Sequence, residues 1–459
     1  MSPRNETRAR QVRGINGRMA SRGLIHLLLA LLVFGYACSN EEVENVIEED
    51  CPAYAPSNPS GSLMINVAGA PSTPTIEVED FVGTRWLVNG STTITDLPGS
   101  LYTVAAQTVT VEPVGDALAG RVFTIAPNSV QLVCVRFGET TVLDLEYVEH
   151  PASGKLWVAQ GPIAANDVVA FDEEELRASG SVAPVLGLDL FERNDSNNVV
   201  GLGFDAWGNL WLGTASASGN RFHALTPGQL GSGGTVRPAL TLDALSLTSL
   251  GSMTLVDGRR LYATDPAGNA LWTENTGAAT WRAFYVADGV LRSGGVVFDE
   301  LVSGTLGAVA RDRAGEVWVS DTTNDTVSRL VPFTDTEGLP RYRFEPVLIG
   351  NTPPPVVNTL SAPNAMVFLP SGDLWVSYLG SNVLARYSAA EVGASGTYEP
   401  NPQVTIPVTA VPAGLAVDAR GGVWSAQFEE RLQRVGSGPY TVTSTSLADP
   451  TALTFYPAP

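Results

Sequence analysis

The chain has 459 residues, with 47 Asp and Glu against 27 Lys and Arg, and a formal net charge of −20. So acidic a chain lacks the clustered cations that grip phosphates, which argues against nucleic acid and equally against electrostatic docking on anionic lipid; the charge reads first as solubility. Few charged residues beside 46 Gly and 31 Pro describe an all-β protein rich in turns, and the length suits two or three domains.

The first element is an apolar run, Leu24 to Phe34, preceded by Arg18 and Arg22. It is too short to span a bilayer and has the form of the apolar core of a secretory signal. It ends in Gly35-Tyr36-Ala37-Cys38. Small residues before a cysteine there resemble the bacterial lipoprotein signal, which implies cleavage after residue 37 and lipid on Cys38. Gly rather than Leu at the third position before the cysteine departs from the usual pattern, and an uncleaved anchor is the alternative. Translation starts at Met1 or at Met19. Both readings place the body of the protein outside the cytoplasm, held to a membrane. Ser39, where sorting signals for the inner membrane carry Asp, favours the outer membrane or cell surface by the same resemblance. Residues 38–59 open with the acidic stretch Glu41 to Asp50, which cannot bury apolar surface and reads as a solvated tether.

In an oxidising compartment Cys51 and Cys134 are a candidate disulfide, tying the tether to the first domain. The alternative is that Cys134, in the apolar run Val130 to Val135, is a small buried hydrophobe.

Residues 60–148 show period-2 alternation, as at Leu63, Ile65 and Val67, at Ile76 and Val78, and at Leu143, Leu145 and Tyr147. With Pro and Gly turns between the runs, this predicts a small antiparallel β-sandwich. Leu97-Pro98-Gly99-Ser100-Leu101-Tyr102-Thr103-Val104 resembles a segment of carbohydrate-binding-like and immunoglobulin-like modules of bacterial surface proteins. Such modules are more often spacers than binders. Trp86 is either a core residue, the preferred reading, or a sugar-stacking one.

From residue 150 to 459 an aromatic strand recurs: Gly154-Lys155-Leu156-Trp157, Gly208-Asn209-Leu210-Trp211, Arg260-Leu261-Tyr262, Gly315-Glu316-Val317-Trp318, Gly372-Asp373-Leu374-Trp375 and Gly422-Val423-Trp424. By subtraction the aromatics lie 54, 51, 56, 57 and 49 residues apart. A strand-like repeat of about 50 residues predicts a β-propeller. A second recurring strand precedes five of the copies, as at Gly201-Leu202-Gly203-Phe204-Asp205 and Gly414-Leu415-Ala416-Val417-Asp418, and a polar-headed third strand follows. The first copy lacks its preceding strand. Asp449 to Pro457 supplies it, so the chain is read as a six-bladed propeller closed by its C-terminal strand. Asp172 to Leu176 and Ser388 to Val392 each fit a capping box, ended by Ser179-Gly180 and Ser395-Gly396. The acidic triplet Glu173-Glu174-Glu175 is therefore read as a helix start and not as a metal site.

These repeats resemble the NHL and gluconolactonase-like six-bladed propellers, and also the virginiamycin B lyase group. The gluconolactonase resemblance implies a divalent ion such as Ca²⁺ at the pore mouth, held by a Glu, an Asp and an Asn in a Pro-Asn-Gly turn. Pro363-Asn364-Ala365 matches the Asn turn. Asn198 and Asp449 lie one position out of register, and no carboxylate stands at the other matching places, so no cofactor is expected, with a divalent ion as the exception to test. The lyase resemblance implies a His base, yet past residue 37 only His150, at the domain junction, and His223, read as a surface residue of a third strand, are present. No catalytic set can be assembled. Candidate pore-mouth residues are Asn198, Asn364 and Asp449, with Ser252, Thr305, Ala413 and Thr451 from equivalent turns. The recurring Trp residues are read as packing between blades. The expectation is a non-catalytic binding or scaffolding propeller for a protein or glycan, tethered to the cell envelope. The alternatives are a metal-dependent hydrolase or a lyase at the pore mouth, and a purely structural envelope protein.

Overall fold

The computed structural model describes residues 51–458 apart from 53–56, 58, 126–127, 163, 191–197, 217–218, 245–246, 268–269, 276–290, 293–295, 299–303, 335–339, 350–359, 394–404, 408–411, 428–429 and 436–439. The signal segment 1–37, Cys38, the acidic stretch and the turn Ser395-Gly396 lie outside the described residues. Ile47–Pro459 form one compact unit.

The first nine strands make two facing sheets. One orders Thr92–Pro98, Ser60–Ala68, Thr140–Glu149, Arg121–Ile125 and Val109–Val111; the other orders Arg85–Asn89, Thr75–Glu79, Ser100–Ala106 and Val130–Val135. Alternation puts Leu63, Ile65, Ile76, Val78, Tyr102, Val104, Val135 and Leu145 into the core between them. Trp86 packs on that core, edge-on to Tyr102 at 5.9 Å between ring centroids. A disulfide joins Cys51 to Cys134.

The rest of the described chain forms six sheets of four or five strands. Their inner strands are, in chain order, Asn198–Phe204, Ser252–Val256, Leu306–Arg311, Pro363–Phe368, Pro412–Val417 and Pro450–Tyr456. Each inner strand lies beside the next, and Pro450–Tyr456 lies beside Asn198–Phe204. Pro450–Tyr456 also pairs antiparallel with Lys155–Gln160, the strand of the first aromatic copy, with Thr454 opposite Trp157. The inner strands approach one another closely. A Cβ on Gly414 would stand 2.8 Å from the Cα of Ala452, and one on Gly201 would collide with Met253. That crowding is why Gly stands at these two positions.

The aromatic of every copy is buried in the second strand of its sheet. Six hydrophobic clusters each join two neighbouring sheets, as where Trp424 and Ala416 meet Leu156, Val158 and Phe455. The Trp residues therefore work as packing between sheets. Three of them meet a carboxylate: Asp205, Asp312 and Asp418 each accept the indole N–H of the Trp six residues on, at 2.9, 3.1 and 2.9 Å, while Trp157 donates to the Ala152 carbonyl at 3.4 Å. The same carboxylates accept backbone N–H groups of the intervening turn, as Asp418 does from Arg420 and Gly422. In the fifth aromatic copy Leu369 stands where the Asp would be, and the Trp375 indole N–H has no partner.

Four expectations are corrected. The sandwich is not wholly antiparallel, because Ser60–Ala68 and Thr140–Glu149, its first and last strands in the chain, pair parallel. Ser388–Glu391 is a capping box, opening the helix Ala389–Val392. The acidic triplet is not. Glu175–Arg177 is a single 3₁₀ turn without a side-chain cap, and Glu173 reaches across to accept the backbone N–H groups of Leu118 and Ala119 in the sandwich. Ser179-Gly180 does not close a helix there, because Gly180–Ser181 pairs parallel with Tyr440–Thr443, the outer strand of another sheet. His223 is not a surface residue; it is 2% exposed, between Thr214 and Thr241.

Candidate functional site: the cavity between the inner strands

The inner strands enclose a cavity of about 740 Å³. At one end it is lined by residues that open these strands, among them Asn198, Ser252, Asn364, Ala413 and Thr451. Its wall is apolar, with Val200, Leu202, Met253, Val309, Met366 and Leu415. At the other end stand Arg311, Asp312, Arg313, Phe368 and Phe455. The sandwich packs at this second end, against turns that leave the inner strands. Thr108 donates its backbone N–H to Ala206, Ala419 donates to the Leu118 carbonyl, and Arg259 pairs with the buried Glu77 at 2.8 Å. The mouth lined by Asn198, Asn364 and Thr451 is thus the end away from the sandwich.

Of the three candidate mouth residues, Asn198 and Asn364 line this end of the cavity and Asp449 does not. Asp449 is not among the residues lining the cavity; it sits at φ 47° with its carbonyl accepting the Gly161 N–H. Thr305 does not line the cavity either, and its hydroxyl accepts from Thr323 at 3.0 Å. Two of the mouth residues join sheets to one another. Asn364 Nδ2 donates to the Ala413 carbonyl at 3.3 Å, and Thr451 Oγ1 donates to the Val199 carbonyl. Thr264 and Ser320 do the same in other sheets, donating to Gly307 at 2.6 Å and Pro363 at 2.8 Å. One short polar side chain after another thus satisfies a carbonyl on the neighbouring inner strand. Sequence reasoning missed Arg311 and Arg313 at the far end; Arg313 donates to the Pro370 carbonyl at 3.4 Å and Arg311 lies 3.7 Å from Asp257. Their signal in the sequence was their place at the end of a recurring strand.

The residues at the mouth do not fit the divalent-ion set that the gluconolactonase resemblance implies. That end offers two amides and hydroxyls, while Asp312 at the far end is engaged by Trp318. Among the described residues no three His, Cys, Asp or Glu side chains gather closely enough to hold a metal ion. The two histidines are built into the structure. His150 donates Nε2–H to the Gly208 carbonyl at 2.8 Å and accepts the Ala152 N–H on Nδ1 at 3.0 Å, so it is neutral. Burial lowers its pKa to about 4, against the raising effect of the Gly208 bond. Burial lowers that of His223 to about 3. Asp205 is pushed the other way, up to about 6 by burial, against the four hydrogen bonds it accepts.

The strand content and the sheets arranged about one cavity make this a β-propeller fold. No family model and no curated protein matches the sequence. The fold is similar to solved structures at low identity. A chain of the nidogen/laminin complex is 13% identical, with 65% of this chain and 97% of that one covered at a TM-score of 0.44. A streptogramin B lyase is 13% identical, with 76% and 90% covered and a TM-score of 0.35. The β-propeller domain of a Myceliophteria thermophila protein is 10% identical, with 63% and 84% covered and a TM-score of 0.37.

Proposed function

We propose that the chain is a lipid-anchored protein of the cell surface or outer membrane, whose propeller binds a segment of protein or glycan in its central cavity without catalysis. In this reading the six sheets are six blades, the C-terminal strand closes the ring on the first blade, and the sandwich is a spacer between anchor and propeller. The observation that carries it is the succession of inner strands, each beside the next and the last beside the first, around one cavity. The cavity lies within the range of about 300–1,000 Å³ typical of ligand sites. Asn364 and Thr451 hold neighbouring strands, and both histidines are buried in other contacts, so these groups are committed to structure. What remains at the mouth is a polar rim over an apolar wall, a surface for recognition.

The test is a plug at the mouth. Ala413→Trp should lower the affinity for a glycan or envelope protein found by direct binding at least tenfold, with the melting temperature kept. Binding that survives the plug unchanged would move the site elsewhere. Cys38→Ser should release the protein into the soluble fraction; retention on the membrane would end the anchor reading.

A further inference from the structure

Most of the large apolar side chains left exposed among the described residues belong to the sandwich. Val82 is 63% and Phe137 67% exposed, with the exposed Phe81 beside Val82. They stand on two turns that follow Thr75–Glu79 and Val130–Val135. Glu79 pairs with Thr103 and Val135 with Ser100, so both strands run toward the start of Ser100–Ala106. Both turns therefore leave the same end of the sandwich. The propeller packs at the opposite end, where Thr108 donates its N–H to the Ala206 carbonyl, Val122 donates its N–H to Ser153 Oγ at 3.0 Å and His150 bonds the Gly208 carbonyl at 2.8 Å.

Both turns are held in place. Asp80 Oδ1 accepts the N–H groups of Val82 and Thr84 at 3.0 and 2.8 Å. In the other turn Gly138 donates to the Ser60 carbonyl at 3.0 Å and Glu139 to that of Arg136 at 3.3 Å. An apolar side chain fixed in water forgoes the roughly 1.5–3 kcal/mol that burial would bring, which makes two such turns at one end informative. The chain enters at this same end. Cys51 is bonded to Cys134 next to Val135, and Pro52 lies against Gly99. Residues 39–50, twelve by subtraction, separate Cys38 from Cys51. At full extension they reach about 40–45 Å, so a lipid on Cys38 keeps this end close to the bilayer.

We propose that this end of the sandwich is a membrane foot, in which Val82 and Phe137 enter the interfacial layer of the lipid surface that carries the anchor. The proposal rests on the lipid-anchored reading of Cys38. The net charge of −20 selects a neutral, zwitterionic surface over an anionic one. The foot would set the propeller, at the other end of the sandwich, away from the membrane with its mouth outward.

The experiment places an environment-sensitive fluorophore on Val82→Cys, Phe137→Cys or Val114→Cys in the full lipidated chain on phosphatidylcholine vesicles. Val114 is 85% exposed, but its loop belongs to the propeller end, where Asp116 meets Arg420. The expected result is a blue shift and quenching by brominated acyl chains at positions 82 and 137, and neither at 114. Labels at 82 and 137 that report water on membrane-bound protein would overturn the foot. So would a shift that appears only when a second envelope protein is added, which would make the surface a protein contact. In the Cys38→Ser chain, vesicle co-sedimentation should be weak and fall at least tenfold further with Val82→Ser and Phe137→Ser. If Cys38→Ser sediments as fully as the lipidated chain, the anchor fails while the labels still decide the foot. If Cys38→Ser is released and the labels report water, the anchor stands and the foot falls.

Discussion

Replacing Asp418 by Ala should be among the most damaging single changes to this propeller. Asp418 is 0% exposed and accepts the N–H groups of Arg420 and Gly422 at 3.0 and 2.8 Å, the Trp424 indole at 2.9 Å and Arg434 Nε at 2.7 Å. Arg434 is itself 3% exposed and lies flat on Gly422, where any Cβ would collide with its guanidinium. Removing the carboxylate takes away the charge that Arg434 meets here and the oxygen that accepts the Trp424 indole N–H. Breaking one partner of so buried a pair costs about 3–5 kcal/mol.

Asp312 makes the same turn and indole bonds, but it is partly exposed, and the Arg329 opposite Trp318 pairs with Glu316 and Glu345 instead. Asp312→Ala should cost only about 1–2 kcal/mol, the value of the lost hydrogen bonds. Equilibrium urea unfolding, followed by Trp fluorescence, reads both. A second variant separates charge from packing: Arg434→Met on the Asp418→Ala background should recover at least about 2 kcal/mol. If Asp418→Ala costs no more than Asp312→Ala, or if Arg434→Met makes it worse, the buried pair is not what holds the Trp424 region together.

Acid should destabilise through the histidines. The folded pKa values of about 4 for His150 and about 3 for His223 lie below the unfolded value of 6.5, so the unfolded chain takes up protons first. Stability is full above about pH 6.5 and is lost as pH falls toward 4, by about 3 kcal/mol for a histidine shifted some 2.5 units. Asp205, raised to about 6, acts oppositely and gives up stability as pH rises from about 4 to 6. His223→Gln should therefore flatten the acid loss and Asp205→Asn should steepen it; a shift of both curves in one direction would contradict the assignment. Deleting residues 450–459 removes the strand on which Lys155–Gln160 and both neighbouring inner strands rest, and should abolish cooperative melting; a truncated chain that melts like the full one would refute the closed ring. EDTA followed by Ca²⁺ should leave the melting temperature of the full chain unchanged, because a site bound only in the folded state must raise it.

Much of the architecture was legible because packing around an axis repeats. Every sheet sets its aromatic opposite its inner strand at the same register, so spacing alone located Trp157 through Trp424 and the inner strands. The polar contacts were less legible. The carboxylate six residues before Trp211, Trp318 and Trp424 is visible in the sequence as Asp, but its bond depends on a turn that brings Asp and indole together, and the fifth copy breaks the pattern with Leu369. His223 looked exposed because a third strand was expected to face solvent; Thr241 on the adjoining strand covers it instead. Asp449 was placed at the mouth by counting, and one residue at φ 47° was enough to turn it toward Gly161.

The outer strands depart furthest from what a linear repeat can show. Gly180–Ser181 joins Tyr440–Thr443, Gly234–Val236 joins Leu186–Leu190, and Leu291–Arg292 joins Leu240–Asp243, each parallel to the outer strand of a neighbouring sheet. In each case the donor segment lies in the connection between the third and fourth strands of its own sheet. Residues that looked like loop, or like a helix stop at Ser179-Gly180, are edge cover for a neighbour. A row of unpaired backbone groups on an outer strand invites pairing with another chain, and a two- or three-residue strand is enough to blunt it. These three segments have no alternation to read, because their contribution is backbone hydrogen bonding and not side-chain burial. The same reason hides the cross-sheet bonds of Asn364 and Thr451: a side chain that satisfies a neighbour's carbonyl leaves its trace in three dimensions, and in sequence it is one more polar turn residue.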